Sequence, residues 1–214
     1  MQKKLTIIHT TVATVTTIPL LIHEMYDNFE IINVLDDSML NDIKENGYLT
    51  KNVIERFIQY VMIAKNNGSD AILLACSSIG EAGNIAREII DIKLFKIDEP
   101  MADLAVKKGQ RILVLGTVQS TLLPTSKLIE SKITDLSQSV ECKLISDVFS
   151  LYATNREKHD REIAKVVVEN LAKYDVIVLA QASMSNAIQY VTEDHNKILT
   201  SLPLGLIQLK EIIE

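Results

Sequence analysis

Short uncharged apolar runs alternate with amphipathic stretches along the whole chain, and this alternation predicts an α/β protein built on parallel strands. The clearest case is Ala71 to Gly83, AILLACSSIGEAG, where a run without charge meets a cysteine, two serines and the start of an amphipathic stretch. That order predicts a buried strand feeding straight into a helix. Ser78 and Glu81 have the spacing of a capping box, so the helix is expected to open at the serines and to run through Ala82, Ile85, Ala86, Ile89 and Ile90. Further strands are predicted at Leu5 to Ile8, Glu30 to Leu35, Leu94 to Ile97 and Arg111 to Leu115, in ECKLI, where Cys142 stands at the start of a counterpart to Glu30 to Leu35, and from Ile198 toward Pro203. Helices are predicted around Leu20 to Met25, from Ser38, from Thr50 to a C-cap near Gly68, from Pro100 to Lys107, from Asn155, and from Leu204 onward.

The pattern repeats. About 105 residues after SDAILLACSSIGEAGNIA the chain reads YDVIVLAQASMSNAIQYV: acidic residue, apolar strand, small polar seam, helix, with Gln181 in the place of Cys76. LTIIHTTVATVTTIPLL is echoed by RILVLGTVQSTLLPTSKLI, pairing Thr10 with Thr117, and the helix opening at Thr50 is echoed by the one opening at Asn155. Three matches in one order argue for internal duplication: two lobes, residues 1–99 plus 204–214 and residues 100–203.

Composition narrows the functions. With 47% hydrophobic residues, the 214-residue chain can bury a large core or two smaller ones. A formal charge of -6, with no dense run of Lys and Arg, excludes a nucleic-acid surface. No segment approaches membrane-spanning length, and the first apolar run is too short for a signal peptide, so a cytoplasmic location is expected. Two cysteines in unrelated settings fit a reducing compartment; no Cys/His spacing suggests a metal, and neither a P-loop nor a dinucleotide fingerprint is present, so no cofactor is implied.

Candidate chemistry gathers at the strand-to-helix seams, where open α/β sheets bind ligands. Cys76 is expected to feel the positive end of the following helix, which favours thiolate; the alternative is a packed core cysteine. Hydroxyls crowd the turn after the first strand, at Thr10, Thr11 and Thr14, where they can cap a helix or meet a ligand. Asp36 and Asp37 can hold an ammonium group or cap the helix at Ser38, and Glu99 can approach a site or turn the chain. His9 is read as a structural or rim residue, with contact to a ligand as the alternative; His23, and His159 and His195 in charged, exposed-looking stretches, receive no role, and Cys142 is read as inert.

ILLACSSIG, the turns HTT and GTVQST, the IDEP segment and VIVLAQASM, in this order and spacing, resemble the aspartate/glutamate/hydantoin racemase superfamily, whose members include maleate isomerase and arylmalonate decarboxylase. The resemblance implies two Rossmann- or flavodoxin-like lobes with parallel sheets and an active site between them. It implies a cofactor-independent enzyme for a small carboxylate or amino acid, and a homodimer. Substrate would be held by Thr10, Thr11, Ser77, Ser78, Thr117, Thr121, Ala182 and Ser183, with Cys76 as the catalytic group and Gln181 orienting substrate; Asp37 and Glu99, read from the chain itself, are the further candidate contacts. The family's two-base racemases carry a second cysteine where this chain has Gln181, and an amide is no base near neutral pH. One-thiol proton transfer beside a carboxylate is therefore the expected reaction, and decarboxylation or a non-catalytic carboxylate-binding role are the alternatives.

Overall fold

Four parallel strands form the sheet of each of two units in the computed structural model, which describes residues 2–213. The first unit runs to Ile97 and resumes at Gly205; the second is Asp98–Leu204. In the first unit β1 (Lys3–His9), α1 (Val12–Met25), β2 (Phe29–Leu35), α2 (Ser38–Asn46), α3 (Lys51–Asn66), β3 (Ala71–Leu74), α4 (Gly80–Ile89) and β4 (Lys93–Lys96) follow in order. In the second come α5 (Glu99–Lys108), β5 (Arg111–Gly116), α6 (Gln119–Lys132), β6 (Ser139–Leu144), α7 (Leu151–Thr154), α8 (Arg156–Asn170), β7 (Val176–Leu179) and β8 (Ile198–Thr200). The closing helices are α9 (Ser201–Ile207) and α10 (Lys210–Ile213).

The sheets have the same order, β2-β1-β3-β4 and β6-β5-β7-β8. The register repeats as well, with Leu5 opposite Ala71 in one unit and Ile112 opposite Val176 in the other. Runs such as Ala71–Leu74 and Val176–Leu179 are buried throughout, because helices cover both faces of a parallel sheet. Ile8, Ile72 and Leu74 pack with Phe57 and Val61 of α3 and Ala82 and Ala86 of α4. In the second unit Leu113, Leu115, Ile177 and Leu179 pack with Ile163 and Val167 of α8. Its opposite face joins Ile112, Val114 and Val178 to Met101 of α5 and Leu122 and Ile129 of α6.

Thr50 and Asn155 cap α3 and α8 through their side chains, accepting from Val53 N and Lys158 N. The C-terminal segment belongs to the first unit: Gln208 Nε2 donates to Lys96 O at 2.9 Å, Lys93 Nζ to Glu211 O at 3.0 Å, and Tyr26 Oη to Leu206 O at 3.3 Å. Gly205 sits directly on the backbone of Ile97, where a Cβ would lie 2.8 Å from the carbonyl carbon. Among the described residues no helix is long and apolar enough to cross a membrane.

Three sequence expectations change here. The first helix opens at Val12, since Thr11 caps it, and Pro19 lies inside it. Cys142 stands in the middle of β6 rather than at its start, paired with Val114 and exposed on an edge strand. His159, expected on an exposed surface, is fully buried, because the charged sequence around it winds into α8 with one face on the core.

Candidate functional site

At the first seam Ala75 still donates to Ile8 O at 3.0 Å, continuing the β3 ladder, and Cys76 then turns the extended chain into a 3₁₀ turn, Ser77–Ile79. The capping box is not formed. α4 opens two residues after Ser78, at Gly80, with no side chain capping it, and Ser78 serves the cysteine instead. Cys76 is half-buried, Ser77 half-buried and Ser78 buried. Burial pushes the Cys76 thiol above its ordinary pKa, against the pull of hydrogen bonds from the Thr10 hydroxyl, the Ser78 N–H and hydroxyl, and the Ile79 N–H. The thiolate expected from the helix terminus is therefore not the resting form. The dipole of α4 begins beyond the 3₁₀ turn and its effect fades within a turn, so burial prevails. Alkylation tests this directly: in a Cys142→Ser background, iodoacetamide should label Cys76 slowly at pH 7, with a rate that rises through and beyond the pH range of a free thiol, about 8.5. A rate already on its plateau at pH 7 would contradict it.

Thr10 is 1% exposed, and its hydroxyl makes no hydrogen bond of regular geometry apart from its influence on the thiol. A buried hydroxyl left in this condition is unusual. Thr11 is spent as the N-cap of α1, its side chain accepting from Ala13 N. His9 is fully buried and fixed from both sides, Nδ1 at 2.8 Å from Thr14 Oγ1 and Nε2 at 2.9 Å from Asn33 Oδ1. Burial lowers its pKa against the Asn33 bond, so the ring is neutral and braces the turn that carries Thr10.

Asp36, not Asp37, is the engaged carboxylate after β2. It accepts from Ser38 N at 3.0 Å and Ser38 Oγ at 2.5 Å, from Arg56 Nη1 at 3.2 Å and from Tyr60 Oη at 2.9 Å. Burial alone would raise its pKa; the Ser38, Tyr60, Arg56 and Met39 interactions together hold it below the usual carboxylate range. Asp37 is exposed and caps nothing with its side chain. Because Asp36's pKa is depressed on folding, its contribution is present above about pH 4 and lost as pH falls through its folded value. Asp36→Asn should cost about 2 kcal/mol at neutral pH, and the gap to the native protein should narrow below about pH 4 in urea unfolding. A constant gap at all pH values would assign the loss to packing.

Lys96 is a residue the sequence reading passed over. It is 3% exposed at the end of β4, its stem runs beside Gly80 and Gly83, and its Nζ donates to Asn84 Oδ1 at 2.9 Å. It places a buried cation against the first turns of α4.

The second seam opens in the same way but continues as a 3₁₀ helix instead of an α-helix. Ala180 donates to Leu115 O at 2.9 Å, and Gln181 turns the extended chain into a 3₁₀ helix, Ala182–Tyr190. Gln181 Oε1 accepts from Thr117 N at 2.7 Å and Thr117 Oγ1 at 3.0 Å. Gln181, Ala182, Ser183 and Thr121 are half-buried and Thr117 is buried. From α8 Arg156 donates to Ser183 O at 3.0 Å and to Asp160, which also pairs with His159 Nδ1 at 2.7 Å. Glu99 opens α5, half-buried, beside the buried Asp98.

The family model for Asp/Glu/hydantoin racemases matches residues 8–203, nearly the whole chain and both seams. The chain belongs to the Asp/Glu/hydantoin racemase family. Solved structures agree with that racemase fold. A glutamate racemase isoform from Bacillus anthracis superposes with a TM-score of 0.72 at 19% identity, over 99% of this chain and 81% of that one. Allantoin racemase from Klebsiella pneumoniae gives a TM-score of 0.72 at 13% identity, over 99% and 88%. Unliganded arylmalonate decarboxylase gives 0.60 at 14%, over 99% and 93%. No curated protein matches in sequence.

Proposed function

We propose that this racemase-family chain is a cofactor-independent enzyme that transfers a proton at the carbon beside the carboxylate of a small acid or amino acid, with Cys76 as its one proton-transferring thiol. The observation that carries the reading is Cys76 at the end of β3, ringed by the Thr10 hydroxyl and the Ser78 and Ile79 N–H groups. On this reading the hydroxyl and N–H groups preorganised beside the thiol lower the energy of the enediolate formed when the α-proton leaves, since negative charge develops next to them. The thiolate takes the proton, the donors hold the enediolate, and the thiol returns a proton to the same carbon. Where the family's two-base racemases carry a second cysteine this chain has Gln181, which can neither give nor take a proton near neutral pH, so exchange is expected on one face, with retention.

A second reading is favoured by the raised Cys76 pKa. A thiol that rests protonated suits decarboxylation: loss of carbon dioxide leaves the electron pair on carbon, and the thiol supplies the proton. One structural neighbour is a decarboxylase.

The test is incubation in D₂O with both enantiomers of aspartate and glutamate, with hydantoins and with substituted malonates, followed by proton NMR. Loss of the α-proton signal without inversion supports proton transfer, and release of carbon dioxide from the malonates supports the second reading. Silence across the panel leaves a carboxylate-binding protein without catalysis and overturns both.

A further inference from the structure

The two seams leave their strands alike, through an extended Cys76 or Gln181 into a 3₁₀ turn, but end in opposite states. In the first unit the Thr10 hydroxyl is buried and unsatisfied but for the thiol it faces. In the second, its counterpart Thr117 has both its N–H and its hydroxyl directed at one atom, Gln181 Oε1. The identity of that atom is fixed by the chemistry of its partner: a backbone N–H only donates, so the side-chain oxygen, not the nitrogen, must face it. Both lone pairs of the carbonyl are then taken. Among the described residues the Gln181 Nε2 group donates to no protein acceptor, and it is oriented by the bonds its own oxygen makes.

We propose that Gln181 is a built-in ligand of the second seam. Its carbonyl occupies the cradle formed by the Thr117 N–H and hydroxyl, shuts that cradle to carboxylates, and presents the amide N–H₂ as a neutral donor to an acceptor oxygen instead. The consequence for specificity rests on the function proposed above: a small acid can place its carboxylate only at the first seam, on Thr10, Ser77 and Ser78. What the second seam accepts is a carbonyl, hydroxyl or amide oxygen. A pair of convergent donors without their internal acceptor is an anion site; with it, the pair is neutralised at no cost in charge.

Backbone amide spectra of ¹⁵N-labelled protein read this out with sodium acetate as the probe. In the native protein the Thr117 amide should not move as acetate is added. In Gln181→Ala, with the cradle vacated, it should shift and saturate. In Gln181→Glu, where a carboxylate oxygen still meets Thr117, it should again stay still. A native Thr117 amide that responds to acetate as readily as in Gln181→Ala overturns the proposal, as does a Gln181→Ala protein that ignores acetate. Gln181→Ser gives the same reading should the alanine variant fail to fold. The Ser77 and Ser78 amides in the same spectra test the proposed function separately. If they are silent to acetate while Thr117 behaves as stated, the carboxylate site of the first seam is wrong and the role of Gln181 stands. Movement at the serines together with movement at native Thr117 gives the reverse result.

Discussion

Cys76→Ser should all but abolish carbon-bound proton exchange, lowering its rate by about a thousand-fold, the middle of the range for removal of one acid–base group. The substitution is nearly isosteric and keeps a hydroxyl in the seam, so the Thr10, Ser78 and Ile79 donors remain in place. A hydroxyl, however, titrates far above any thiol and cannot take the α-proton. The expected signature is a collapse of kcat with KM changed little, since the lost interaction acts in the transition state. The pH profile separates the two reactions. Proton abstraction needs the thiolate, so its rate rises as pH climbs through the raised Cys76 pKa; decarboxylation needs the protonated thiol, so its rate falls over the same range. A Cys76→Ser protein with near-native exchange would remove the cysteine from the mechanism, whatever its position.

Gly205→Ala should be the most damaging change away from the seam. The added methyl would meet the Ile97 carbonyl oxygen and come within 2.8 Å of both the carbonyl carbon and Ile97 Cδ1. Backbone cannot step aside as a side-chain tip can, so α9 must lift from Ile97, and the Gln208 and Lys93 bonds that hold the C-terminal segment go with it. A loss of about 3 kcal/mol is expected, the upper end for overpacking, read as a lower urea midpoint of the transition. Gly47→Ala is the control. Gly47 has φ 78° and nothing within 4 Å of its would-be Cβ, so only left-handed backbone strain is added, about 1 kcal/mol. Equal losses in the two variants would mean that the close approach at Ile97 carries no weight.

What the sequence showed of this molecule follows from local chemistry. Short uncharged runs such as Ala71–Leu74 and Val176–Leu179, each followed by a small polar turn, read as strands covered on both faces, and the side chains of Thr50 and Asn155 announce the helices they cap. The duplication was legible because the seams recur in order, and the sheets confirm it with one strand order and one register. The site was legible only as a set of turns. Which carboxylate is engaged depends on Arg56 and Tyr60, one turn apart on a helix whose docking no local pattern reveals, and they take Asp36 while leaving Asp37 in solvent. Thr117 and Gln181 meet across two neighbouring strands, and no propensity encodes that bond. Charged neighbours likewise hid the burial of His159. Lys96 carried a signal that was available: in KLFKI a lysine between Phe95 and Ile97, in a short strand of a sheet covered on both faces, has nowhere exposed to go.

The first unit is discontinuous in sequence, closed by a segment that begins at Gly205 after the whole of Asp98–Leu204 has intervened. On the ribosome this inverts the usual order of completion. Domains generally fold as units while the chain emerges, N-terminal first, yet here the β1–β4 unit must wait for the segment from Gly205 onward before α9 can seat on Ile97. The continuous second unit has its full complement of strands earlier, so the later half of the protein can be finished first. For the first half, emergence of the segment that begins at Gly205 is the step that permits closure.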